Sequence, residues 1–358
     1  MNNIKHITLL ASAALLALAS CSTDDQQDDL QAGQLPIRLA HNLAADTDVT
    51  RASGNYTYGF IEGLGSDFYV WADMFDEGEA NPLLQTREFI SAWFLQVNAL
   101  DTQLFQTAQT HLFPVYNSLS FYGIHGNFAQ TITAESSGFP NSYLTHSVKT
   151  AQRSDDDYLA SDLVYAIQPS VKPTKDYVTL PFHHMLTKIE VALKAGNQMT
   201  GAQMTDVDLT KVTVSIVGTK TQVEFTPGKK NLAGADLDLS DLAVRQAMLS
   251  IPETAEPQPV TLSTVPTSDF TTATCGAAVV VPQTVNGRFI CLHYQDHDIY
   301  YSVDNLQLLS GYRYRFNLTV DRIGTEFVVT PNVTVSPWDV DTDVVADLDA
   351  IIETTNRN

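Results

Sequence analysis

The sequence predicts a mainly β protein, with two antiparallel β-sandwiches in tandem. Three observations lead there. Short runs rich in β-branched and aromatic residues recur along the chain, each bounded by turn-forming residues. No run has the length of a full helix, and residues 239–249 suit a short one. The folded part, roughly 280 residues, is more than a single sandwich of short strands holds. The 358 residues include 15 Pro, 18 Gly, 14 Tyr and 16 Phe, which suits strands joined by tight turns.

Residues 1–20 (MNNIKHITLLASAALLALAS) precede that fold. Lys5 forms a basic start, and an apolar run of about a dozen residues follows, the length of a secretory signal and too short for a stable membrane span. Leu18-Ala19-Ser20-Cys21 closes it and resembles a bacterial lipobox, in which the cysteine thiol is acylated and the signal is cut just before it. Two or three acyl chains hold a membrane far more firmly than one. Asp24, Asp25, Asp28 and Asp29 follow closely, as either an export signal resembling that of Bacteroidetes lipoproteins or a solvated tether. Beyond them no apolar run reaches spanning length, so the expected mature chain is a folded body tethered by lipid.

Residues 31–40 (QAGQLPIRLA) alternate, with Leu35, Ile37 and Leu39 on one face and Pro36, Arg38 and Ala40 on the other. That pattern is a half-buried strand, and Pro36 favours an edge position. A polar stretch containing Thr50-Arg51-Ala52 follows. Residues 68–71, 89–95, 112–116 and 119–124 then supply the strands of a first sandwich, a polar stretch over 138–157 ends in an exposed loop at 153–157, and 163–167 with the turn-rich 169–175 form the bridge to a second unit. The second is expected to open with 177–182 and 188–194 (KIEVALK), where Ile189, Val191 and Leu193 alternate with charge. It continues through 212–217, 260–262, 277–281, 288–294, 312–320 and 327–335. The resulting division is a signal (1–20), a lipidated propeptide with the first edge strand (21–51), an N-terminal sandwich (52–168), a C-terminal sandwich (169–340) and a tail (341–358). The tail reads both ways. Val340, Thr342 and Val344 share a strand face, whereas Val344, Leu348 and Ile351 recur at helical spacing.

Composition narrows the function. Hydrophobic residues make up 44% and charged ones 17%, which excludes a disordered chain. The 41 acidic residues outnumber 20 basic ones, and a net charge of -21 repels nucleic acid. No nucleophile elbow, zinc-protease helix or phosphate loop is present, so no catalytic residue is assigned and no enzyme is expected. No cofactor is expected either. Asp339-x-Asp341-x-Asp343 suggests a calcium loop, but its sixth and twelfth positions are Val344 and Ala350, where Gly and Glu are needed. Asp155-Asp156-Asp157 has no ligand spacing. His183 and His184 point to opposite faces of a strand and cannot share an ion. His293 and His297, with Asp296 and Asp298, read as the cap of a hairpin, so no metal ligand is assigned. Three cysteines are too few for a disulfide scaffold. Cys275 and Cys291 fall on neighbouring expected strands, but pairing about 283–287 brings Cys275 near Tyr294; an exported chain permits the disulfide and the register argues against it.

Several segments, in order, carry a resemblance over most of the chain. They are the lipobox at Cys21, an early strand followed by Thr50-Arg51-Ala52, and Leu119-Ser120-Phe121-Tyr122. Next come LPFHHMLTKI over 180–189, Val281-Pro282-Gln283, Gly311-Tyr312-Arg313-Tyr314 and a closing Pro337-Trp338. Together they resemble the Bacteroidales fimbrillin family, the FimA-like and Mfa-like subunits of type V pili. The resemblance implies two transthyretin-like Greek-key sandwiches and a structural role in adhesion, as a stalk or tip subunit. It further implies lipoprotein export, cleavage after Arg51 by a surface arginine-specific protease to leave Ala52 first, and polymerisation by donor-strand exchange. The implied partners are other pilin subunits, that protease, a host or bacterial surface ligand, and the outer membrane before cleavage. The alternative is a permanently anchored outer-membrane protein that is never cut, serving as a pilus anchor or a glycan- or protein-binding module.

Overall fold

The computed structural model describes residues 34–42, 67–75, 86–98, 100–101, 103–195, 211–262, 264–265, 272–323, 326–338, 344–346 and 350–356. The first half carries β1 (Leu39–His41), β2 (Phe68–Phe75), β3 (Thr86–Val97), β4 (Phe105–Gln106), β5 (Ser118–His125), β6 (Leu144–Ser147), β7 (Ala151–Gln152), α1 (Asp155–Ser161), β8 (Val164–Val171), β9 (Val178–Leu180) and β10 (Phe182–His184). The second half carries β11 (Thr187–Ala195), β12 (Thr213–Ile216), β13 (Gln222–Phe225), α2 (Leu242–Ala247), β14 (Leu249–Ser250), β15 (Val260–Leu262), β16 (Thr264–Val265), β17 (Thr272–Val280), β18 (Thr284–Tyr294), β19 (His297–Gln307), β20 (Tyr312–Ile323), β21 (Glu326–Pro337), β22 (Val344–Ala346) and β23 (Ala350–Asn356). The chain is mainly β, as the sequence predicts.

Two apolar cores organise these strands. The first is built on the sheet β10-β8-β5-β2-β3-β4, around Trp71, Trp93, Tyr122, Tyr165 and Phe182, all fully buried. Two of these aromatics hydrogen-bond through their polar ends: Trp71 Nε1 donates to the Ser137 carbonyl at 2.8 Å and Tyr165 Oη to the Gly228 carbonyl at 2.8 Å. The second core lies between the sheets β16-β17-β11-β20-β21-β22 and β23-β19-β18-β12-β15-β7. Ile189, Val191 and Leu193 point into it, as their alternation predicts.

The boundary expected at 168/169 falls inside β8, and β9 and β10 belong with the first half. Phe182↔Ala166 and His184↔Val164 pair β10 to β8, while β9 pairs with β1. The second core begins only at Ile189. Long-range pairing decides this, and the alternating pattern of residues 177–182 is the same whichever sheet receives them. The halves also trade segments. β7 joins the second body through β15, and β13 joins the first through β6. Lys229 fixes that excursion: its Nζ lies 2.6 Å from Asp73 Oδ2, over the rings of Tyr122 and Phe139.

β17 is a shared wall. Ala277, Val279 and Val281 face the first core, whereas Ala278 and Val280 face the second. Burial on both faces explains why this run shows no polar alternation. The Gln152 side chain holds the same strand, exchanging two 2.8 Å hydrogen bonds with the Val279 backbone.

Three further expectations change. Residues 153–157 are not a loop: Ser154 caps α1, its Oγ accepting from Asp157 N at 3.2 Å, and the aspartates sit in the first turn where the helix dipole favours them. The Ser154-x-x-Asp157 spacing carried that signal. Residues 112–116 form no strand; Leu112 makes one isolated bridge, and Tyr116 is exposed. Cys275 and Cys291 are not on neighbouring strands, because β17 and β18 lie in different sheets, and Cys291 is a buried thiol. The expected short helix appears as α2, capped by Asp241. Among the described residues no helix is long and apolar enough to cross a membrane.

His146 supplies a test of the first core. It is wholly buried on β6, Nδ1 accepting from Asn127 N at 3.0 Å and Nε2 donating to the Ser161 carbonyl at 3.0 Å. Desolvation lowers its pKa to about 4. Between pH 6.5, the ordinary value, and pH 4 the unfolded chain binds the proton more readily than the folded one, so stability falls as pH falls. The loss expected across that window is roughly 3 kcal/mol. Denaturant melts of wild type and His146→Gln should differ by about one proton in their pH slope there; equal slopes would contradict a buried neutral imidazole.

Candidate functional site

Residues 35–41 carry the feature most relevant to function. The alternation read from sequence holds over Ile37–Leu39, with Ile37 and Leu39 buried at 4% and 2% exposure and Arg38 half-buried, and ends at Ala40, which is buried as well. The edge position does not. On one side β1 runs parallel to β9, pairing Leu39↔Val178 and His41↔Leu180, and Val178 N donates to the Arg38 carbonyl at 2.8 Å. On the other side the chain 103–113 forms a second wall. Ile37 N donates to the His111 carbonyl at 2.8 Å, His41 N to the Gln103 carbonyl at 3.0 Å, and Phe113 N to the Leu35 carbonyl at 2.9 Å. The segment is therefore an interior strand. Pro36 is tolerated because it precedes the stretch paired with β9, where its missing N–H costs no ladder bond.

Side chains complete the clamp. Leu39 and Ile37 enter the first core beside Phe68, Phe105, Phe113 and Phe182. His41 meets the Phe105 ring edge-on at 5.0 Å between centroids. The Arg38 guanidinium lies 4.6 Å from the Tyr177 ring centroid and donates to the Lys175 carbonyl. Asn42 Oδ1 accepts from Phe182 N at 2.9 Å. Cys21, Arg51 and Ala52 lie outside the described residues.

The described parts of the C-terminal tail, residues 344–346 and 350–356, are strand. β22 pairs with β21 through Val335↔Val344 and Val333↔Ala346, and β23 pairs with β19 from Val303↔Ala350 to His297↔Asn356. Among the described residues each stands last in its sheet, bonded on one side only. Val344 and Ile351 thus lie on strands, where the ladder hydrogen bonds available at those sheet edges override their helical spacing.

Between the two bodies, Trp338 stacks on His184 at 3.8 Å between centroids and 6° between planes, and His184 Nδ1 meets Asp162 Oδ2 at 2.8 Å. Trp338 N donates to the Gly311 carbonyl at 2.8 Å, and Gly311 has φ +70 in a space where a Cβ would meet the His184 carbonyl at 2.9 Å. The motifs at 180–189, 311–314 and 337–338 thus meet in one joint, and His184 packs there. His183 and His184 do face opposite sides, the first half-buried and the second buried.

The model of the fimbrillin-like family matches residues 50–338. The chain belongs to that family. Fimbrillins are structural surface subunits, not enzymes. Among solved structures, a candidate cell adhesion protein from Bacteroides ovatus is similar with TM-score 0.56 and 14% identity, over 86% of this chain and 99% of that one. One from Bacteroides uniformis is similar with TM-score 0.50 and 15% identity, over 85% and 98%. These likenesses concern the fold. No curated protein matches this fimbrillin by sequence.

If the clamp on residues 35–41 holds the first core together, Leu39→Ala in the uncleaved chain should cost about 2–5 kcal/mol of unfolding free energy. Arg38→Ala, losing a half-exposed cation–ring contact and the hydrogen bond to the Lys175 carbonyl, should cost about 1–2 kcal/mol. Urea unfolding of both variants checks this, and equal small losses would mean that the strand is only loosely seated.

Proposed function

We propose that this fimbrillin is a stalk or tip subunit of a type V pilus that supports adhesion, exported as a lipoprotein through Cys21, cut after Arg51 and polymerised by donor-strand exchange. One observation carries the reading: the strand upstream of Arg51 is hydrogen-bonded on both sides. Cleavage there would leave it held by non-covalent contacts alone. Its departure would open a groove whose walls present Phe113 N, Val178 N and the carbonyls of Gln103 and His111. It would also uncover two apolar sites, those of Ile37 and Leu39, each worth roughly 1.5–3 kcal/mol when filled. An unfilled groove of this kind captures another extended chain by β-augmentation.

The tail of another subunit is a physically suitable occupant. β22 and β23 are already extended and, among the described residues, have a partner strand on one side only. Moving such a strand into the groove of the next subunit would exchange one-sided pairing for two-sided pairing. Because donor and acceptor are different surfaces, the contact repeats head to tail and grows an open filament. Cleavage would also separate the body from the lipid on Cys21, passing it from the outer membrane to the fimbrium. The proposed partners are accordingly other pilin subunits, an arginine-specific surface protease, and a host or bacterial surface ligand.

The test is the N-terminal sequence and intact mass of protein sheared from cells, for wild type and Arg51→Ala. Wild type should begin at Ala52 and run as high-molecular-weight ladders, while the variant remains an acylated monomer beginning at Cys21. Acylated Cys21 in both would replace this reading with that of a permanently anchored surface protein.

A further inference from the structure

We propose that the outer face of the second sandwich carries a binding site for one divalent transition-metal ion of the zinc class, formed by Cys291 Sγ, His293 Nδ1 and Asp298 Oδ1. Cys291 and His293 are two apart on β18 and share a face, and register brings Asp298 on β19 directly opposite His293. The neighbours Leu292 and Ile299 point the other way, into the second core. The three ligand atoms lie within 4.8 Å of one another, with Cys291 buried and His293 open to solvent at its edge.

The distances favour a common centre. Sγ to Nδ1 is 3.6 Å, and Nδ1 to Oδ1 is 2.7 Å. Tetrahedral zinc with ordinary bond lengths separates sulfur from nitrogen by about 3.6 Å and nitrogen from oxygen by about 3.4 Å. The first separation is already present. The second needs the carboxylate to swing by about 0.7 Å, and Asp298 sits next to the hairpin turn. On binding, Cys291 releases its thiol proton to solvent as thiolate. The imidazole proton then resides on Nε2, which lies 3.4 Å from Ser215 Oγ and can donate to it. A hydroxyl on the far nitrogen is the outer partner that orients a metal-bound histidine.

A nucleophilic triad fits worse. It requires the base to receive the thiol proton on one ring nitrogen and to be oriented through the other. Here thiol and carboxylate approach the same nitrogen, so no relay runs through the ring. Calcium and magnesium are excluded by the donor set, since they take hard oxygen ligands and this site offers sulfur and nitrogen. Three protein ligands at a solvent-open edge leave a fourth position for water or a group from another molecule.

The experiment titrates chelator-stripped full chain with cobalt(II) as a spectroscopic probe and with zinc in competition. One equivalent of cobalt should produce a thiolate charge-transfer band and the intense visible bands of tetrahedral coordination, and zinc should abolish both. Cys291→Ser should remove the charge-transfer band, and Asp298→Asn and His293→Gln should each weaken zinc binding by at least about tenfold. Because Cys291 is buried, a Cys291→Ser chain that fails to fold leaves the decision to the other two: His293→Gln replaces a half-buried ring, and Asp298→Asn is an isosteric change at a buried carboxylate. Absence of the band, or zinc affinity unchanged in both Asp298→Asn and His293→Gln, would overturn the site.

Discussion

Every backbone donor and acceptor removed from water needs a partner, and for residues 35–41 those partners lie on both sides. Much of the first body depends on that constraint. The two walls, 103–113 and 178–180, come from distant parts of the chain, and among the described residues the strand between them is what joins them into one surface. The rings of Phe68, Phe105 and Phe182 pack on one another in the same apolar core that buries Ile37 and Leu39. A strand so placed is either present or replaced by another of similar shape, because leaving the groove empty exposes both ladders and the apolar floor together.

The joint between the bodies places this groove in a wider frame. β9 and β10 line the first body, and β11 begins the second only three residues after β10 ends. Across that step, His184 stacks on Trp338, which closes β21, while β17 lends one face to each core. Lys188 and Glu190 are buried beside it and 3.0 Å apart, with Arg315 at 2.7 Å from Glu190. Buried charges in this arrangement favour one register over its slipped neighbours more than they add stability. The tail strands lie at the edges of the second body's sheets, so the proposed donor and acceptor surfaces occupy different bodies of the same molecule.

Fold class was legible because burial imposes a period of two, visible in KIEVALK and in LPIRLA. What alternation does not encode is the identity of the neighbouring strand. For that reason residues 35–41 read as an edge, since Pro36 is the local signal and the partners near 104, 112 and 178 are remote. The same limit assigned 177–184 to the wrong body. In the tail, Val344 and Ile351 fit two periods at once in the sequence, and the neighbouring strands β21 and β19 decide for them. The Cys291, His293 and Asp298 cluster depends on a hairpin register that places 293 against 298, so the sequence showed the histidine beside the turn but not the thiol converging on it.

The most direct test of the groove is amide hydrogen exchange at Phe113 and Val178, whose N–H groups donate to the carbonyls of Leu35 and Arg38. It would be measured in the uncleaved chain, in the chain cut after Arg51 with the released segment removed, and in assembled filaments. The account predicts strong protection in the first, loss of protection in the second, and recovery in the third. Protection that persists after the segment is removed would contradict it, because the two walls would then be satisfied without any inserted strand.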